Sequence, residues 1–445
     1  MDDNFGRRLL AFVLAGVLVC FGAASADDNW DAEFGVPGAD GPVWTMVVHG
    51  RDVYAAGSFT QIGGVFATNI AKWDGTNWSP LGAGLTGGLL PEIHALVFNG
   101  EDLYAGGFFT QAGSVSSRGV ARWDGTNWGS LAGGVSAAGL AGVRALALSE
   151  GKVFAGGTFS TAGGVPAINI AAWDGTNWVA VGNGIPGTAV DALTASGTRI
   201  YAGGRFRIAG GINATNVAMW NGTSWLALGE GIRDWDVSGG GGGMVRVLAV
   251  VGSDLIAAGN FRLAGAGPAA NIARWNEIEW RTLGSGIDVP ADVWALGVNG
   301  QALYAAGFFG SAGGTQTLGI AKWDGSVWSP LGSGTMSGID PGSGRGLAVT
   351  GSELYLGGFF DHAGGKPANN IALWHIPHSL NIDRTGNDVT LSWPATGTNF
   401  LLEATSDLGA PDWQGVSGTP AIVNDQCLVT IPLGSGNQFF RLRRK

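Results

Sequence analysis

Cysteine is close to absent from this chain. There are two, Cys20 and Cys427, and Cys20 falls in a segment expected to be removed, so the mature protein has no intramolecular disulfide open to it. Its stability must come from packing. Charge is also scarce: Asp, Glu, Lys and Arg make up 13% of the 445 residues, with a net balance of −10. A chain of that sign without a basic stripe carries no electrostatic footprint for nucleic acid. The zinc and calcium signatures CxxC, HExxH and repeated Asp loops do not occur, so neither a metal nor a cofactor is expected. His49, His94, His362, His375 and His378 are scattered, and no Ser-His-Asp arrangement follows from their spacing. The apolar run Leu9 to Gly22 is too short to cross a bilayer comfortably.

That run instead reads as the middle of an export signal. Arg7 and Arg8 precede it, and Ala24-Ser25-Ala26 supplies the small-x-small cleavage pattern. Residues 1–26 are expected to be removed. The mature protein is then exported, to the cell surface, the periplasm or the extracellular space, as a monomer with no membrane span. What the chain has in abundance is Gly, 80 residues against a usual share of about 7%, together with 19 Trp and 20 Phe. That mixture predicts turn-rich β structure rather than disorder.

One phrase recurs seven times, starting at Val53 (VYAAGSF), Leu103, Val153, Ile200, Leu255, Leu303 and Leu354 (LYLGGFF). A period near 50 residues predicts a β-propeller with one blade per repeat. Each repeat reads as four strands, A to D. Strand A is an apolar stretch such as Ile93 to Val97, and strand B is the recurring phrase. Strand C is of the NIAKW type, as at Asn69 to Trp73. An Asp-Gly turn then leads into strand D at a second Trp, such as Trp78.

The lengths say more than the residues. From the strand A marker (Met46, Leu96, Leu146, Leu193, Leu248, Leu296, Leu347) to strand B is always 7 residues, and from there to the strand C Trp always 20. All length variation falls between strand C and the next strand A, which predicts one variable face built from the D-to-A links. The seventh repeat reaches Trp374 and has no strand D, while Asn29-Trp30 before the first repeat is a spare one. Residues 29–36 are therefore expected to complete the last blade and close the ring. The expected fold is all-β: a seven-bladed β-propeller over 27–376 and a small β-sandwich over 377–445. The latter is of fibronectin-III or immunoglobulin-like type, with Trp393 as its core Trp.

The glycine doublets and paired aromatics of the YAGG…WDG-x-x-W repeat resemble the kelch and galactose-oxidase-like propellers. They are also similar to the repeats of a fungal cell-polarity surface marker and to those of exported bacterial repeat proteins. The resemblance covers residues 29–374 and implies the propeller architecture. It departs from kelch in that the strand C and strand D Trp lie only five residues apart. The copper chemistry of galactose-oxidase-like propellers needs Tyr, His and Cys on one site. Here Tyr54, Tyr104, Tyr201, Tyr304 and Tyr355 are spread around the ring, each in a different repeat.

Residues that recur in every repeat, including fourteen Trp, read as packing. The many Gly-Gly pairs read as backbone turns, and the Asp of the WDG phrase as turn chemistry. One position behaves differently. Two residues before each strand A marker stand Trp44, His94, Arg144, Asp191, Arg246, Trp294 and Arg345, between small or apolar neighbours. In a propeller these line the rim of the central channel. Three Arg and two Trp suit an anionic or sugar-like group, and ordered water around satisfied channel residues is the alternative. The longest D-to-A link adds Trp235 as a candidate flap residue. The expected function is an exported binding scaffold with a protein or carbohydrate ligand at the D-to-A face. The alternatives are a carbohydrate-active enzyme on the same face, drawing on Asp191 with Asp234, Asp236, Asp288 and Asp292, and a structural surface or adhesion component. No catalytic constellation is recognisable.

Overall fold

The computed structural model describes residues 12–14, 17–19, 26–234, 243–338, 340–377, 380–394, 400–407, 412–416, 418–423, 426–432 and 438–444. The expected export segment, residues 1–26, lies mostly outside them; within it Phe12–Leu14 and Val17–Val19 pair antiparallel. The protein is all-β. Among the described residues there is no α-helix and no helix long and apolar enough to cross a membrane. Contacts divide the chain into two compact bodies, Trp30–Thr350 with Leu354–Trp374, and the remainder.

The larger body is a series of antiparallel sheets, one per repeat. In the second repeat Glu92–Asn99 (A), Asp102–Phe108 (B), Val120–Trp123 (C) and Trp128–Ser130 (D) lie side by side in that order. Strand B is central and buried from Leu103 to Gly107, which is why its phrase is apolar and small throughout. The hairpin from C to D turns on Asp124, whose carboxylate accepts from the backbone N–H of Thr126 and Asn127. Asn221 and Asn276 do the same in their repeats, as a turn role for this position requires. Six repeats form four-stranded sheets of this order. The seventh has three strands, Ser343–Val349, Glu353–Phe359 and Ile371–His375, and Trp30 makes a single bridge to Trp374 beside them.

Neighbouring sheets are held by shared cores. Tyr104, Val120 and Leu131 of the second repeat pack with Val143, Phe159 and Trp178 of the third. The first strand A, Val43–His49, lies against both the second and the seventh, and Val43, Met46 and Phe59 share a core with Tyr355, Ile371 and Leu373. Each strand D Trp stands over the strand C Trp of its own repeat, with ring centroids 5.3 Å apart for Trp123 and Trp128. From the second repeat to the sixth its indole N–H is donated backwards to the preceding repeat, as from Trp128 to the Leu81 carbonyl at 2.8 Å.

Strand C begins one residue later than the repeat phrase suggests. Asn69, Asn169, Asn216, Asn271 and Asn370 precede it with φ near +60°, a conformation that Asn and Gly tolerate best. Between B and C each repeat also makes a two-residue hairpin that periodicity does not reveal, such as Gln111–Ala112 with Val115–Ser116. In several repeats this hairpin pairs with the preceding D-to-A link, as Gln111–Ala112 does with Leu85–Thr86. The variable links are therefore tied by backbone hydrogen bonds to the next repeat.

The smaller body has seven short strands in its C-terminal part among the described residues. Asn381–Thr385, Asp388–Pro394, Gln426–Pro432 and Ala421–Val423 form one sheet in that order, and Gln414–Gly415, Phe400–Thr405 and Phe439–Arg444 form another. Leu391, Trp393, Leu402, Cys427 and Phe440 share its core, and Trp393 is 1% exposed.

Candidate functional site

The seven variable residues occupy one structural position. In every strand A the pairing with strand B skips one residue, for example between Ile93 and Ala95. The skipped residues are Trp44, His94, Arg144, Asp191, Arg246, Trp294 and Arg345. Each is thus the extra residue of a β-bulge, free of ladder pairing, and bulges re-aim side chains in this way. A glycine opposite makes the bulge possible. A Cβ on Gly107 would stand 2.1 Å from the Glu92 carbonyl oxygen, and one on Gly307 would stand 2.2 Å from that of Asp292. The same close approach recurs at Gly57, Gly157, Gly204, Gly259 and Gly358. The expectation that the Gly-Gly pairs are turns is thus corrected for strand B, where these glycines lie within the strand to admit a bulged neighbour. The doublets Gly63-Gly64 and Gly163-Gly164, with positive φ, are turns.

All seven side chains line one cavity of about 370 Å³. Around it they touch in the order of their repeats. Arg246 lies 4.0 Å from the centroid of Trp294, and Arg345 lies 3.4 Å from the same ring. Arg345 also lies 5.0 Å from the ring of Trp44, and Trp44 stacks on His94 with 17° between their planes. Phe108 continues the series, edge-on to His94 at 5.6 Å and under Arg144 at 5.2 Å. Arg144 then reaches Asp191 at 3.4 Å.

The charges are matched unequally. Arg246 is held by Asp292 through two hydrogen bonds, of 3.2 and 2.9 Å. Asp191, with its side chain 8% exposed, leaves its second oxygen without a partner, as does Arg144 its Nε. Burial pushes the Asp191 carboxyl up, against the pull of Arg144, Arg246, Arg205 and His94. The hydrogen bond shared with His94 at 3.1 Å holds Glu92 below the usual carboxylate range. Arg345 donates from Nε to the Ser343 hydroxyl at 2.9 Å and has no carboxylate in contact among the described residues. Burial, with the charge of Arg246 nearby, pushes its guanidinium down to about 10, while Asp292 and Glu92 pull the other way. It stays a cation at neutral pH.

Trp235, the candidate flap residue, lies outside the described residues, as does Asp236. Asp288 is taken up by the Ser311 hydroxyl, and Asp234 lies 3.7 Å from Arg262. Glu92, Asp292 and Ser343 are participants that repeat reading does not single out. They share a signal all the same, since each stands two residues before its rim residue, where the repeats also differ. Two residues beyond the rim comes a second, apolar ring of the cavity wall: Met46, Leu96, Leu146, Leu193, Leu248, Leu296 and Leu347. Compared with known proteins, the chain matches no family model, and no curated protein matches it.

Proposed function

We propose that residues 30–374 form a seven-bladed β-propeller closed by the N-terminal strand, and that this exported protein binds a ligand at the channel rim on the D-to-A face. The carrying observation is that seven bulged side chains, one from each repeat, line one cavity. Closure is supported by the bridge from Trp30 to Trp374 and by the first strand A lying against the seventh. The cavity volume sits at the low end of small-ligand pockets, which run from about 300 to 1,000 Å³.

Binding is favoured over glycoside hydrolysis by the state of the carboxylates. Hydrolysis needs two of them facing one bond, free to act as acid and as base or nucleophile. Around this rim Asp292 is clamped by Arg246, Glu92 shares a hydrogen bond with His94, and Asp191 faces Arg144. The smaller body fits an immunoglobulin or fibronectin-III type sandwich, since its sheets follow the strand orders 1-2-6-5 and 4-3-7. Its role is that of a spacer or attachment module.

A panel of immobilised glycans and extracellular proteins, probed with the wild-type protein and with the Trp44→Ala and Arg144→Ala variants, tests the reading. A ligand retained by the wild type and lost by the variants is the expected result. Turnover of a polysaccharide, or a ligand held equally by all three proteins, counts against it.

A further inference from the structure

Resting on that reading of the rim as a binding site, we propose that the cavity takes a monocarboxylate with an apolar body, its carboxylate held end-on by Arg345. Four features of the wall lead there. First, among the described residues Arg345 is the one rim arginine with no carboxylate in contact: Arg246 is held by Asp292 through two hydrogen bonds and Arg144 contacts Asp191. With no carboxylate in direct contact, its guanidinium is the rim cation open to a ligand's negative charge.

Second, the geometry leaves a defined edge open. Trp294 and Trp44 hold the plane of the guanidinium and Ser343 takes its Nε. Among the described residues the two terminal nitrogens form no hydrogen bond, and that edge matches the two oxygens of a carboxylate. Third, two arginines already stand over the ring of Trp294, which weighs against a neutral sugar stacking there. Recognition therefore falls to charge and hydrogen bonding. Fourth, beyond the rim the cavity is bounded by small residues such as Ala95, Ala145, Ala192, Ala295 and Gly346 and by six Leu and Met46, of which Met46, Leu146, Leu193 and Leu248 also pack into the cores between repeats. An aliphatic or aromatic body suits that wall, and a polyhydroxylated one does not.

Calorimetric titration of the full-length mature protein with octanoate, 3-phenylpropanoate, 3-phenylpropanamide, glucuronate and inorganic phosphate decides the matter. The two apolar acids are expected to bind, while the amide, glucuronate and phosphate bind at least about tenfold more weakly, since a charge-assisted pair is lost or a polar body is buried. Arg345→Met should lose about tenfold or more for the acids. Arg345→Lys, which keeps the charge and loses the fork, should fall between. Arg281→Met, at an exposed arginine paired with Glu279, should bind as the wild type does, and near-ultraviolet circular dichroism shows that each variant is folded. The inference is overturned if the amide or glucuronate binds as well as phenylpropanoate, if folded Arg345→Met retains the acids, or if no acid binds. If no acid binds but an array ligand is still lost on Trp44→Ala, the rim remains a binding site and only the carboxylate assignment falls.

Discussion

The indole of Trp30 donates its N–H to the carbonyl of Leu331, 301 residues further along the chain, at 3.1 Å. The bond copies those from Trp128 to Leu81, Trp178 to Leu131 and Trp328 to Leu283. Trp30 also stands over Trp374 with centroids 5.1 Å apart, as the strand D Trp does in other repeats. Beside the seventh repeat Trp30 therefore makes the contacts that the strand D Trp makes elsewhere. Trp30 is 1% exposed, and truncating a fully buried Trp costs about 3–5 kcal/mol. Trp30→Ala should lower the unfolding free energy of the larger body by that amount in urea denaturation. A loss below about 0.5 kcal/mol, the size of an ordinary surface change, would refute the assigned place.

The bulge predicts a contrast between glycines. Gly307→Ala drives a Cβ to 2.2 Å from the Asp292 carbonyl and 2.9 Å from Val293 Cα, both backbone atoms. It should cost about 1–3 kcal/mol through overpacking and move Asp292 away from Arg246. At Gly267 an added Cβ meets nothing within 4 Å and φ is not positive, so Gly267→Ala should fall within about 0.5 kcal/mol of wild type. Equal effects in thermal denaturation would mean that the glycines opposite the bulge are not what permits it.

Much of this was legible in the sequence, and the boundary of legibility is physical. Constant spacings from Met46 to Val53 and from Val53 to Trp73 mark hydrogen-bonded strands that admit no insertion. The position of Trp44 and its six equivalents stood out because it varies among constant neighbours. The bulge did not stand out, since it is a property of register between two strands; Gly57, Gly107 and their equivalents recorded it only indirectly. The stack from Arg246 through Trp294 and Arg345 to Trp44 depends on which repeats are neighbours and on which face each ring presents. Spacing along the chain encodes neither. The small hairpins after strand B, such as Gln111 to Ser116, are too short to show a period at all.

Asn169 tests the turn before strand C. It has φ of +59°, is 5% exposed, accepts from the Phe159 N–H and donates to the Ile185 carbonyl. Asn169→Ala both strands those buried groups and places a β-carbon in the left-handed region, so it should cost about 2–4 kcal/mol. Asn169→Gly removes the hydrogen bonds without the backbone strain, and should be milder by about 1 kcal/mol. Gly119 and Gly319 already stand at this place in two other repeats. An alanine variant as stable as the glycine variant would remove the conformational half of the explanation.

Asp191 predicts the direction of a pH response. Burial raises its carboxyl pKa above 3.8, even against the pull of Arg144, Arg246, Arg205 and His94. A carboxyl whose pKa is higher folded than unfolded binds its proton more tightly in the native state. Its ionisation therefore weighs against folding at neutral pH. That penalty lifts as pH falls through the raised folded value, and it is gone below the unfolded one. Asp191→Asn has no such titration. Measured as the difference in unfolding free energy between wild type and Asp191→Asn, stability should shift in favour of the wild type from pH 7 to pH 4. Breaking the contact with Arg144 offsets the two proteins by a constant and leaves the slope unchanged. A flat difference, or one moving toward the variant in acid, would show that the Arg144 pair and not burial governs this carboxylate.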